Sequence, residues 1–219
     1  MEIIPALMPR TFKDLCEGAL LFRGVAETLQ VDIVDGEYVP NPTWPYARGG
    51  ISFEDIEEEG LPFLSELSYE IDLMVSNPLS VSEYFLKLGA SRLLLHVETV
   101  VPSKETIERA RIGEVEVGVA IQIETDLGVL EEIADVVDVV QFMGIAEIGK
   151  QGEPFDERVV GKIQSFRHAH PDTIVSVDGG VTMDSAKLLQ GVGVERLAIG
   201  SSILKARDPI KAFKEFQNI

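Results

Sequence analysis

The chain has one cysteine, one tryptophan and roughly half as many basic residues as acidic ones, and each shortage narrows what the protein does. Cys16 has no second cysteine to pair with, which excludes an intramolecular disulfide and fits a reducing cytoplasm. No run approaches the ~18 uninterrupted apolar residues of a membrane span, so no membrane partner is expected. The opening residues MEIIPALMPR carry neither a basic start nor a long apolar stretch, so no secretory leader is expected. Lys and Arg number 19 against 37 Asp and Glu, a formal net charge of −18. That balance argues against a nucleic-acid partner, whose phosphates are held by Lys and Arg. It leaves room for a small phosphate ligand, which backbone N–H groups hold without any cation. No Pro/Ser-rich linker or low-complexity run divides the 219 residues, so residues 1–219 are expected to form one domain.

What the sequence does have is alternation. Short β-branched runs at Glu2–Ala6, Gln30–Val34, Tyr69–Met74, Arg92–Val97, Glu116–Ile123, Val136–Met143, Thr173–Asp178 and Arg196–Gly200 predict eight strands. Helix-like stretches follow near 11–27, 53–66, 78–88, 103–111, 126–134, 156–168, 182–190 and 208–217. Eight strand-then-helix units predict an α/β fold, a single-domain (β/α)8 TIM barrel. The rival, a doubly wound open sheet, usually has a Gly-rich turn after its first strand, and Pro5-Ala-Leu-Met-Pro9 is not one. Asn77-Pro78 and Asp208-Pro209 read as helix starts, and Gly89 and Gly191 as helix stops.

Strand side chains alternate faces, which sorts each run into two sets. Val31 and Ile33 oppose Gln30, Asp32 and Val34; Ile71 and Leu73 oppose Glu70, Asp72 and Met74. Leu95 and Val97 oppose Leu94, His96 and Glu98, and Val175 and Val177 oppose Ser176 and Asp178. One face is apolar and packs under helices. The other collects polar groups toward the C-terminal ends of the strands, where active sites of this architecture lie. Several carboxylates converging on one mouth call for a cation, shared protons or a wet cleft, because an isolated buried carboxylate is very costly.

The segment Val31-Asp-Ile-Val-Asp-Gly-Glu-Tyr-Val-Pro-Asn41 resembles the second-strand signature H-x-D-x-M-D-G-x-F-V-P-N of ribulose-phosphate 3-epimerases. The likeness continues through Ile71-Asp-Leu-Met-Val-Ser-Asn-Pro78, Leu95-His-Val-Glu98, Val177-Asp-Gly-Gly-Val181 and Ile199-Gly-Ser-Ser-Ile203, in order along the chain. The resemblance implies an isomerase that interconverts ketopentose 5-phosphates differing at C3. Two aspartates on opposite faces of the substrate would exchange the proton through an enediolate, and by position they are Asp32 and Asp178. It also implies a divalent metal, no organic cofactor and a homo-oligomer.

The resemblance is incomplete at the metal. Gln30 and Asp72 stand where the family places histidines, and Ala6 where it places a serine. Two readings stay open. Gln30, Asp32, Asp72 and Asp178 form an all-oxygen set suited to Mg²⁺ or Mn²⁺ rather than Zn²⁺, or the metal is absent and Gln30 hydrogen-bonds the substrate. His96 is a further candidate for substrate contact or proton relay with Glu98. For the phosphate, Gly179 and Gly180 after strand seven and Gly200 and Ser201 after strand eight offer backbone N–H groups. Gly149 and Gly152 on the loop after strand six would add to them. Two other classes of function compete: a sugar-phosphate sensor without catalysis, and an aldol or decarboxylase-type lyase. The D-x-K-x-x-D motif of such lyases is missing, and no lysine falls on an inward strand position. Trp44 and Tyr46 would either roof the site or fill a dimer contact, and Glu54–Glu59 reads as a solvated helix face.

Overall fold

The computed structural model describes residues 1–47 and 60–219. Eight parallel strands close into a barrel in sequence order: β1 (Glu2–Leu7), β2 (Thr28–Val34), β3 (Ser68–Met74), β4 (Arg92–His96), β5 (Glu116–Ile121), β6 (Val139–Met143), β7 (Ile174–Asp178) and β8 (Arg196–Ile199). The helices are α1 (Phe12–Phe22), α2 (Pro78–Lys87), α3 (Lys104–Ala110), α4 (Arg158–Ala169), α5 (Met183–Gly191), the short α6 (Ser201–Leu204) and α7 (Pro209–Gln217). The expected (β/α)8 architecture is the one observed.

The faces sort as the alternation requires. Val31, Ile33, Ile71, Leu73, Leu93, Leu95, Val175 and Val177 are fully buried in the layer between strands and helices. The opposite set points into the barrel, and register fixes its levels: Ala6, Gln30, Glu70, Arg92 and Glu116 are successive cross-strand partners, as are Asp32 with Asp72 and Met143 with Asp178. Residues alternate along a strand, so Asp32 and Asp72 lie one layer above Gln30 and Glu70, toward the strand C-termini.

Four charged residues close the floor. Glu2, Arg92, Glu116 and Arg196 form an unbroken ring of ion pairs: Arg92 meets Glu2 at 3.0 Å and Glu116 at 3.2 Å, and Arg196 meets Glu116 at 2.8 Å and Glu2 at 3.3 Å. Above the ring lies Glu70, fully buried, with neither carboxylate oxygen hydrogen-bonded. Burial pushes its carboxyl up to about 7, against the pull of Arg92 and Arg196.

Several local expectations shift. The stretch 126–134 holds only a 3₁₀ turn, Leu127–Leu130, followed by further turns, and the Asp126 side chain starts it by accepting from the Gly128 N–H. The stop after α5 falls at Gly193, with φ +83°, rather than at Gly191, which is still helical. Asp208 caps α7 by accepting from the Lys211 N–H, but Asn77 makes no side-chain cap on α2. Residues 60–66 form turns; the rest of the helix expected near 53–66, and the acidic run Glu54–Glu59, fall outside the described residues. Trp44 is neither roof nor surface contact: it is fully buried between Phe12 (centroids 5.5 Å apart) and Phe85 (6.1 Å).

Candidate active site

Parallel register and barrel closure bring Asp32 of β2, Asp72 of β3 and Asp178 of β7 to one point at the mouth. One oxygen from each lies within 4.8 Å of the others, and all three residues are buried. Gln30, one layer lower, donates from Nε2 to Asp32 Oδ1 at 2.8 Å, and its amide also favours the ionised form of nearby Asp178. Burial and then the neighbouring carboxylates raise Asp32 well above the usual range, and the same causes push Asp178 up to about 7. Two carboxylates so placed resist ionising together, which favours one ionised beside one protonated.

His96 supports the third. Its Nε2 lies 3.1 Å from Asp72 Oδ1, while the Gln141 amide donates to Asp72 Oδ2 at 3.2 Å and is itself held by the Ser176 hydroxyl at 3.1 Å. Burial disfavours a charged imidazole, but Asp72 and Glu98 outweigh it and raise His96 to about 9. On its far side Nδ1 faces Glu98 at 3.5 Å. Burial opposes ionisation of Glu98 too, yet bonds from His96, the Thr125 hydroxyl and the Gln122 N–H hold it at about 2. Tyr38 completes this side, donating to Glu98 at 3.2 Å and accepting from the Gln122 amide at 2.6 Å.

Above the carboxylates opens a narrow cavity of about 40 Å³ whose wall includes Asp32 and Asp178. The glycines singled out for phosphate line the same cavity: Gly179 and Gly180 after β7, Gly200 with Ser201 after β8, and Gly149 and Gly152 after β6. At Gly180 (φ +68°) a Cβ would fall 2.6 Å from the Phe155 backbone, so only glycine lets the loops approach this closely. Gln30, Asp72 and His96 stand behind the wall, each with no exposed surface. His96 therefore grips Asp72 from behind and does not line the cavity. Lys150 and Gln151 of the β6 loop, not anticipated as site residues, also line this cavity.

The cluster also fits a cation. Three crowded carboxylates have His96 as their one directly touching positive side chain among the described residues. The Gln30 carbonyl oxygen, buried beside them, has no hydrogen-bond partner. An orphaned oxygen next to an all-oxygen acidic cluster is what a hard divalent ion uses. Among the described residues no helix is long and apolar enough to cross a membrane.

A family model described as the ribulose-phosphate 3 epimerase family matches residues 2–204. The ribulose-phosphate 3-epimerase of Bacillus subtilis is 28% identical over 200 residues, covering 89% of this chain and 88% of that protein. That of Schizosaccharomyces pombe is 26% identical over 220 residues, covering 99% and 92%. Among solved structures, a 3-hexulose-6-phosphate synthase from Salmonella typhimurium superposes with a TM-score of 0.69 at 13% identity, covering 100% of this chain and 97% of that one. At that identity the superposition speaks for the shared barrel alone.

Proposed function

The chain belongs to the ribulose-phosphate 3-epimerase family, and from that premise we propose that it epimerises a ketopentose 5-phosphate at the carbon beside its carbonyl. The observation that carries the proposal is the pair Asp32 and Asp178, on β2 and β7, both in the wall of one cavity that the glycine loops also line. The ionised partner removes the proton from C3, and the electron pair left on carbon moves onto the carbonyl oxygen to give an enediolate. The protonated partner then returns a proton to C3 from the opposite face, inverting it. Each turnover leaves the pair with its protons exchanged, so the two roles swap with the direction of reaction. A carboxyl held near 7 suits both halves, because proton transfer is most effective when the group's pKa is close to working pH.

Asp32, Asp72, Asp178 and the Gln30 carbonyl oxygen would hold a divalent cation, Mg²⁺ or Mn²⁺ in preference to Zn²⁺. When bound, it supplies positive charge beside the developing oxyanion. His96 and Gln141 keep Asp72 oriented toward that position. The N–H groups of the β7 and β8 loops anchor the phosphate, and Met8, Met74, Met143 and Ile145 give the cavity an apolar side that shields the reaction from water.

None of the eight strands contains a lysine, which removes the inward-facing amine that the lyase alternative needs. The deciding experiment is proton NMR of D-ribulose 5-phosphate in D₂O with the purified protein, in EDTA and with Mg²⁺, Mn²⁺ or Zn²⁺. Deuterium at C3 with D-xylulose 5-phosphate appearing is the expected result. Binding of the sugar phosphate with no exchange under any condition would instead identify a non-catalytic sensor.

A further inference from the structure

Beside the inner cavity lies an outer vestibule of about 360 Å³, bounded by Arg10, Asn41, Pro42 and Thr43 on one side and by the β6 loop on the other. Gln151 belongs to the wall of both spaces. Its amide is pinned between two elements: Nε2 donates to the Ala6 carbonyl of β1 at 3.2 Å, and the same atom would lie 2.6 Å from a Cβ at Gly200. The side chain therefore spans the gap from β1 to the β8 loop, beside the glycines proposed to hold phosphate. Met8, Gly149 and Lys150 also border both spaces, but of these four only the Gln151 side chain is tied across from the β6 loop to β1.

Building on the function proposed above, we propose that Gln151 is a specificity-determining residue that limits the length of ketose phosphate the site accepts. The proton-transferring aspartates fix the reacting carbon at the bottom of the cavity, so each carbon added between it and the phosphate pushes the phosphate outward. A ketopentose 5-phosphate keeps its phosphate inside Gln151, on the Gly179, Gly180 and Gly200 backbone. A ketohexose 6-phosphate must carry its phosphate into the space the Gln151 amide fills. The vestibule presents Arg10, and Lys150 borders both spaces; these are the cationic groups that would receive a displaced phosphate. Lys150 already pairs with Glu147 at 2.8 Å and Glu153 at 3.1 Å, so Arg10 is the less compensated of the two. Room and charge for a longer substrate are both present. Gln151 stands in the way.

The test compares kcat/KM for D-ribulose 5-phosphate and D-allulose 6-phosphate in wild type, Gln151→Ala and Gln151→Met. Shaped pockets discriminate by about tenfold or more per carbon, and Gln151→Ala should narrow the pentose preference by at least about that factor, mainly through KM for the hexose phosphate. Gln151→Met, of similar length but without the amide, should keep the wild-type ratio. An unchanged ratio in Gln151→Ala, or a wild type without preference, overturns the gate. Calorimetric affinities for the unreactive ribitol 5-phosphate and glucitol 6-phosphate read the same ratio without turnover. Failure of the catalytic proposal would therefore show as absent turnover with an intact affinity ratio, and failure of the gate as a flat affinity ratio.

Discussion

Replacing Glu70 with glutamine should stabilise the protein at pH 8 and leave it almost unchanged at pH 4.5. Glu70 sits in the barrel's axis with both oxygens unpartnered, and its carboxyl is raised from 4.5 to about 7. A raised carboxyl binds its proton more tightly folded than unfolded, so native stability is full below 4.5, falls as pH rises, and levels off above about 7. The shift of about 2.5 units corresponds to about 3 kcal/mol across that window, since each unit is worth ~1.4 kcal/mol. Glutamine has nearly the same shape and never ionises, so the variant loses this slope. The assay is urea unfolding of both proteins in EDTA at several pH values from 4.5 to 8. Their stability difference, referred to pH 4.5, should grow by about 3 kcal/mol by pH 8, and the subtraction cancels titrations common to both proteins. A difference that stays flat would mean that Glu70 is ionised and adequately compensated by Arg92 and Arg196, and the account of the barrel interior would fail.

Asp32→Asn and Asp178→Asn should each lower kcat by about 10² to 10⁴ with the fold intact by circular dichroism, as expected for loss of an acid/base group; near-normal turnover in either would remove it from the mechanism. Asp72→Asn should weaken Mn²⁺ binding by roughly tenfold or more, read by calorimetry, because it removes one charge from the cluster; unchanged affinity would place the metal elsewhere. Gly180→Ala forces a Cβ to 2.6 Å from the Phe155 backbone at a positive φ and should raise KM about tenfold through displacement of the phosphate loop. Arg196→Met leaves Glu2 and Glu116 short of a partner and should cost about 2 kcal/mol in urea unfolding, less than a fully buried pair because Glu116 is partly exposed.

The strands were legible because each is a short β-branched run whose period of two separates an apolar face from a polar one. That period places Gln30, Asp32, Asp72 and Asp178 on the inward face, and the ordered glycines mark the loops that meet above them. Other features depend on contacts between distant segments and leave little local trace. Glu2, Arg92, Glu116 and Arg196 each open a strand-like run, but nothing in the sequence says they meet as a ring. Trp44 lies in a proline-rich loop that reads as surface, yet Phe12 and Phe85 enclose it. The missing helix near 126–134 has a distant cause as well: Lys162 of α4 donates to the carbonyls of Gln122, Ile123 and Thr125 and holds that loop in its turn. Nothing local marks Lys150 and Gln151, which border the cavity only once the β6 loop is folded over it.

The ionic floor ties the second residue of the chain to one in its final strand. During synthesis Glu2 emerges long before Arg196, so a nascent chain that stops short of β8 carries a ring with a member missing. A barrel interrupted at that stage would leave Glu2 and Glu116 to share Arg92 alone, which penalises premature closure and favours waiting for β8. The same dependence makes β1 a sensitive place for protein engineers. A fusion that pulls Glu2 out of register would loosen Arg92 and Arg196 together, at the opposite end of the barrel from the aspartates that do the chemistry.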